Sequence, residues 1–215
     1  MKKTRKILLM AACAVLLVCI SVGATVAYLT STDSVTNTFT VGNIQIKLDE
    51  AKANPDGSLV PNVDRVKANS YKLLPGHTYN KDPMVTVLSG SESAYIKMTV
   101  TFSKANELDA IFASVGGANL TSIFNGYDAT NWIYKGNTKD SEKNTRTYEF
   151  WYKEAVGAPT ADVPLDALFD SITVPGTITN AQLATIKDMT ITVNAYAIQE
   201  DSFANAEAAW AAFNG

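Results

Sequence analysis

The chain has 215 residues, with 18 Lys and Arg against 21 Asp and Glu, and it is 47% apolar. That is enough to bury a core of its own, and the length suits one domain rather than two. Its acidic balance, with the basic residues scattered, argues against nucleic acid and an anionic membrane surface as partners.

The four charges of the first 27 residues are all basic: Lys2, Lys3, Arg5 and Lys6. They precede 14 uninterrupted apolar residues, 7–20, the length of a signal-peptide core and short of the roughly 20 that span a bilayer. Thr25 and Ala27 are small residues at the two positions a signal peptidase reads, so cleavage is expected to leave Tyr28 as the new N-terminus. No further charge occurs until Asp33, so retention as an anchor is the alternative. Without residues 1–27 the chain keeps 14 Lys and Arg against 21 Asp and Glu, a net charge of −7. Both cysteines, Cys13 and Cys19, lie in the apolar run, so the mature chain has no disulfide to stabilise it. Cys19 follows the bulky Val18 and Cys13 comes too early, which weighs against a lipoprotein signal.

Residues 28–38 are rich in Ser, Thr and Asp and contain neither Pro nor Gly. A domain over residues 39–215 then opens with Phe39, Val41, Ile44, Ile46 and Leu48, apolar at alternate positions. The parity changes at Gly42 and Asn43, which is expected to be a β-bulge. Asn54-Pro55-Asp56-Gly57 and Pro75-Gly76 are turn signals flanking a polar loop over 58–70. Residues 84–88 read as a strand, Ser89-Gly90-Ser91 as a turn, and 94–102 as a strand of strict period two. The pair therefore predicts a hairpin. Ala94, Ile96, Met98, Val100 and Phe102 face a core, while Tyr95, Lys97, Thr99 and Thr101 face water.

A short helix is predicted over 106–115, strands over 132–134 and 146–153 with a polar loop between them, and a helical turn over 164–170. Another short helix follows over 180–187, then a strand over 189–198. Asp201 or Ser202 is placed to cap a terminal helix carrying Phe203, Trp210 and Phe213. Many short strands with turns at close spacing predict an all-β antiparallel sandwich with short helical insertions and a C-terminal helix.

Three stretches resemble the TasA/camelysin family of exported proteins, whose signals are cut by a SipW-type peptidase. They are GATVAYLTSTDSVTNTFTVGNI at the junction, LLPGHTYNKDPMVTVLSGSESAYIKMTVTF in the middle, and ITVNAYAIQEDSFANAEAAWAAF near the C-terminus. The resemblance implies a jelly-roll and a structural subunit of biofilm-matrix or cell-surface fibres in a Gram-positive bacterium. It also implies a SipW-type peptidase and an anchoring or assembly protein as partners. Because the camelysin branch has been described as metallopeptidase, it implies a surface metallopeptidase as the alternative, and a monomeric surface-binding module remains a third.

The residues themselves lend the enzyme little. Catalytic zinc usually takes three protein ligands. The chain has one histidine, His77, no H-E-x-x-H and no cysteine once mature. His77 follows the Pro75-Gly76 turn and reads as an exposed turn residue. Calcium ligands could come from Asp49, Glu50 and the Asn54–Asp56 turn, or from Asp162, Asp166 and Asp170 at spacings of four, but the EF-hand pattern is missing. Tyr148, Phe150 and Tyr152, and Trp210 with Phe213, read as core rather than as a carbohydrate platform. No cofactor is assigned.

What remains is assembly. An extended segment can add to the open edge of a neighbour's sheet, donating backbone hydrogen bonds and alternate side chains. Residues 28–38 suit that role, with Tyr28, Leu29 and Val35 as anchors. Donation from each copy to the next gives a head-to-tail filament that need not close. The alternative is that the segment is a leader or an edge strand of its own domain.

Overall fold

The alternation of residues 94–102 becomes the longest strand of the fold. The structure, a computed structural model, describes residues 42–114 and 124–213. The expected signal segment with Thr25 and Ala27 at its expected cleavage site, the segment bearing Tyr28, Leu29 and Val35, and Phe39 with Val41 lie outside the described residues. The described chain forms β1 (Ile46–Asp49), β2 (Thr78–Asn80), β3 (Met84–Val87), β4 (Ala94–Ser103), α1 (Ala105–Ser114) and β5 (Trp132–Asp140). After these come β6 (Thr145–Tyr152), β7 (Val163–Pro164), β8 (Ser171–Thr173), α2 (Asn180–Thr185), β9 (Ile191–Gln199) and α3 (Ala206–Phe213).

Two antiparallel sheets face each other, one ordered β5-β6-β4-β9 and the other β1-β3-β7. The inward residues of β4, from Ala94 to Val100, are fully buried, as are Val85 and Val87 of β3, and all share one core. Phe124 packs edge-on against Tyr148 at 5.4 Å and Phe150 at 5.8 Å, and lies 4.6 Å from the Phe169 ring. Such aromatic pairs add about 0.5–1.5 kcal/mol each beyond the area they bury. The expected antiparallel sandwich with short helices is the observed fold.

The connections differ from expectation in several places. β3 and β4 do not form a hairpin: β3 pairs with β1 and β7, whereas β4 pairs with β6 and β9. The Ser89–Ser91 turn, with Gly90 at φ +78°, carries the chain across the core from one sheet to the other. Burial explains this, because all three residues Val85–Val87 are buried and want a sheet covered on both faces. The polar stretch after Tyr134 is strand as far as Asp140, paired with β6 from Glu149 to Thr145. Cross-strand pairing overrides its polarity, since an edge strand can keep Lys135 and Asn137 in water. A β-bulge does occur, but between Tyr134 and Gly136. Gly42 and Asn43 precede β1, and the Asn43 carbonyl accepts from the Glu92 N–H at 2.9 Å.

Residues 164–170 form no helical turn; Pro164 ends β7, and Leu165, Leu168 and Phe169 drop into the core. The terminal helix is capped by Asn205, whose Oδ1 accepts from the Ala208 N–H, rather than by Asp201 or Ser202. The helix over 180–187 is confirmed as α2, with a Thr179–Gln182 capping box.

The outer face of the four-stranded sheet is only partly in water. α3 lies over Lys97, which is 3% exposed, with its amine 4.6 Å from the Trp210 ring, 5.0 Å from Phe213 and 5.5 Å from Tyr196. Glu149 Oε2 is 3.9 Å away. Aromatic faces and a carboxylate together hold a charge that the alternation alone assigned to solvent. Beyond α3, Thr138, Thr147, Thr101 and Thr192 stand side by side across all four strands.

A smaller apolar cluster of Tyr79, Ile111, Val174, Ile178 and Ile186 ties the β2–β8 pair to α1 and α2. The main core carries more of the stability. Phe150→Ala is expected to cost about 3–5 kcal/mol, measured as a lowered urea midpoint at unchanged slope.

Candidate functional site

A strand at the rim of a sheet presents unpaired N–H and C=O groups. Proteins blunt such rims with short strands, prolines, bulges, charges or covering segments. The four rims of this sandwich are treated differently. β7 is two residues long and one is Pro164. β5 carries Lys135 and Lys139 and bulges at Gly136, where φ is +128°. β1 is only four residues long, and residues 65–69 strap its end: Lys67 Nζ donates to the Leu48 carbonyl, and just past the strand Glu50 and Val66 exchange backbone hydrogen bonds of 2.9 and 2.7 Å. Asn69 Nδ2 donates to the Ala51 carbonyl at 2.8 Å, and the Ala53 N–H donates to Asn69 Oδ1 at 2.9 Å.

β9 has none of these protections. Its nine residues, ITVNAYAIQ, include no charge, no Pro and no Gly. Its register against β4 runs without a bulge, and among the described residues no strand pairs with its outer edge. Ile191, Val193, Ala195 and Ala197 pack against the core, so the strand is firmly seated while, among the described residues, its rim has no partner strand.

A groove runs beside that rim. A cavity of about 410 Å³ lies between Leu48, Asp49, Val66 and Lys67 on one side and Ile191–Val193 on the other. Asn69, Lys81 and Ile191 also border a second cavity of about 690 Å³, lined by Tyr71, Leu73, Leu183, Ile186 and Met189. Its apolar wall is part of the smaller core cluster left open to one side.

The strap is held by buried charge. Arg65 Nε donates to Asp49 Oδ1 at 2.6 Å, Nη1 to Asp82 Oδ2 at 2.8 Å, and Nη2 to the Asp82 carbonyl at 2.7 Å. The Ala51 N–H donates to Asp82 Oδ1 at 2.7 Å. Beneath, Lys81 Nζ donates to Glu50 Oε2 at 2.5 Å and Asn69 Nδ2 to Glu50 Oε1 at 3.0 Å. Asp49, Glu50 and Lys81 are all buried. Burial alone would push the Asp49 carboxyl up, but the hydrogen bonds and charges of Lys47 and Arg65 outweigh it and hold the group below its ordinary value. Burial, with the Glu50 charge nearby, pushes the Tyr71 phenol well up, and its O–H donates to the Asn80 carbonyl at 2.6 Å.

The residues singled out for chemistry are dispersed. His77 is exposed in its turn, 6.4 Å from the Tyr79 ring. Asp162 accepts from the Ser89 N–H and Asp166 from Asn131 Nδ2, both at 2.9 Å, while the Asp170 carboxylate lies against Gly126. Asp56 accepts from the Ser58 N–H and hydroxyl within its own turn. Asp49 and Glu50 are engaged by Arg65 and Lys81 rather than turned together toward an added cation. Among the described residues, no group of three or more His, Cys, Asp or Glu could hold a metal ion. Tyr148 and Phe150 are core, and Tyr152 packs on Trp132 at 5.0 Å.

Sequence reasoning missed the strap and the groove. One signal was present: Arg65, Lys67 and Asn69 occupy alternate positions in a stretch otherwise taken as loop. The chain matches no family model, no curated protein and no solved structure.

The strap gives a pH prediction. Because the folded pKa of Asp49 is depressed, its contribution is present above the unfolded value, near 3.8, and is lost as pH falls through the lower folded value. Arg65→Met is therefore expected to cost about 2–3 kcal/mol at pH 7. It should also flatten the acid limb of the stability curve, both seen by urea unfolding from pH 7 down to pH 2.

Proposed function

We propose that the mature chain is an exported structural subunit that polymerises. Each copy donates its N-terminal segment to the open rim of β9 in the next. The observation that carries this reading is the contrast among the four rims: three are blunted, and β9 alone is long, regular, uncharged and bordered by a groove.

The segment suits the rim in length and composition. At about 3.3 Å per residue, the nine residues of β9 extend roughly 30 Å, a span comparable with the extended length of residues 28–38. Thr and Val favour extended structure, and no proline interrupts the pairing. Each backbone hydrogen bond contributes about 0.5–1.5 kcal/mol net. Durable contact therefore also needs buried side chains, for which Tyr28, Leu29 and Val35 serve as anchors and the groove supplies the wall.

Donor and acceptor are different surfaces of one chain, so the contact is head-to-tail and propagates. Signal cleavage between Ala27 and Tyr28 frees the donor, which makes the peptidase the assembly switch. The likeness of the junction to SipW-processed proteins supports secretion, and the TasA side of that likeness supports fibres of a biofilm matrix or cell surface. An anchoring partner belongs to the same reading.

Purified protein starting at Tyr28 is expected to form fibres by electron microscopy, whereas protein starting at Phe39 stays monomeric. Equal behaviour of the two removes the mechanism. Asn194→Lys, a charge placed on the exposed face of β9, should suppress fibres while leaving the unfolding free energy within about 0.5 kcal/mol of the parent.

A further inference from the structure

The groove beside β9 carries an unbalanced charge. Its walls and the groups they pair with include three carboxylates, Asp49, Glu50 and Asp82, and four cations, Lys47, Arg65, Lys67 and Lys81. Lys47 and Arg65 pair with Asp49, Arg65 also pairs with Asp82, and Lys81 pairs with Glu50. Lys67 is left over. Its side chain is exposed on the groove wall, its amine donates to the Leu48 carbonyl at 2.5 Å, and no carboxylate of the described residues lies within ion-pair distance. On a chain of net negative charge, this is a local positive site facing an uncharged strand.

The sequence outside the described residues contains one complementary group. Between Tyr28 and Thr38 the only charged side chain is Asp33, with five residues on either side of it. We propose that Lys67 receives the carboxylate of Asp33 from a neighbouring copy and so sets where the donated segment stops in the groove. This rests on the strand-donation reading above and specifies its register.

The central position of Asp33 makes the assignment independent of strand direction. Lys67 lines the same cavity as Ile191–Val193. With Asp33 held there, one arm of five residues, about 16 Å when extended, follows β9 toward Gln199. The other arm reaches the larger cavity, where Tyr71, Leu73, Leu183, Ile186 and Met189 receive apolar side chains. Register needs such a pin. A slip of one residue exchanges the two faces of a strand, and residues 28–38 have too little apolar alternation to prevent it.

The test is a charge exchange in the mature chain starting at Tyr28, read as critical concentration and elongation rate by light scattering, with fibres confirmed by microscopy. Asp33→Lys and Lys67→Asp should each raise the critical concentration about tenfold, and the double variant should return it to within about threefold of the parent. Should Lys67→Asp compromise folding, Lys67→Gln takes its place and should cancel most of the penalty of Asp33→Lys. Singles that assemble like the parent, or a double no better than either single, overturn the pairing while leaving strand donation standing. A parent protein that never assembles overturns both.

Discussion

Backbone hydrogen bonding at the sheet rims is the constraint around which this molecule is arranged. A buried or half-buried N–H or C=O without a partner is costly, and a sandwich of two open sheets has four rows of them. The protein meets the problem with a different device at each rim. Pro164 shortens one, the Gly136 bulge and flanking lysines interrupt another, and residues 65–69 strap the end of a short third. Among the described residues, only β9 is left as a straight uncharged template. On our reading that rim is reserved for a segment from outside the subunit, so the same physics that threatens aggregation is directed into one ordered contact.

The strap and the C-terminal helix show how covering elements are held where the core alone cannot hold them. The strap has few apolar side chains, and its grip comes from Arg65 bridging Asp49 and Asp82 at distances below 3 Å. The desolvation of Asp49 is offset because the Lys47 ammonium and the Arg65 guanidinium reach it together. α3 uses a different means. Trp210 and Phe213 close over Lys97, and the aromatic faces accept the ammonium charge that the helix removes from water. Each cover hides a charge, and each depends on a geometry contributed by residues far apart in the chain.

Much of the fold was legible in local pattern. The period-two alternation of β4 announced both its strand and its core face. Tyr148, Phe150 and Tyr152 marked β6, and Asn180 onward marked a short helix. What was missed was relational. The Gly-Ser turn after β3 looked like a hairpin because nothing local distinguishes a strand that turns back beside itself from one that crosses to the opposite sheet. Lys97 looked exposed because α3, more than 100 residues later, is what covers it. Residues 135–140 looked like loop because their strand character comes from pairing with β6, not from their own propensity.

The candidate site divides along the same line. Residue order by itself determined a β-rich domain free of cysteine, and it supplied the expectation of a leader cut before Tyr28 and of a donor-like segment without proline or glycine. These depend on composition and on nearest-neighbour spacing, which a linear text preserves. Tertiary structure alone decided which rim lacks a partner among the described residues, where the groove lies and why Lys67 has no carboxylate of the described domain beside it. Such facts depend on which strands become neighbours and which charges meet, and that is settled by burial of the whole core at once.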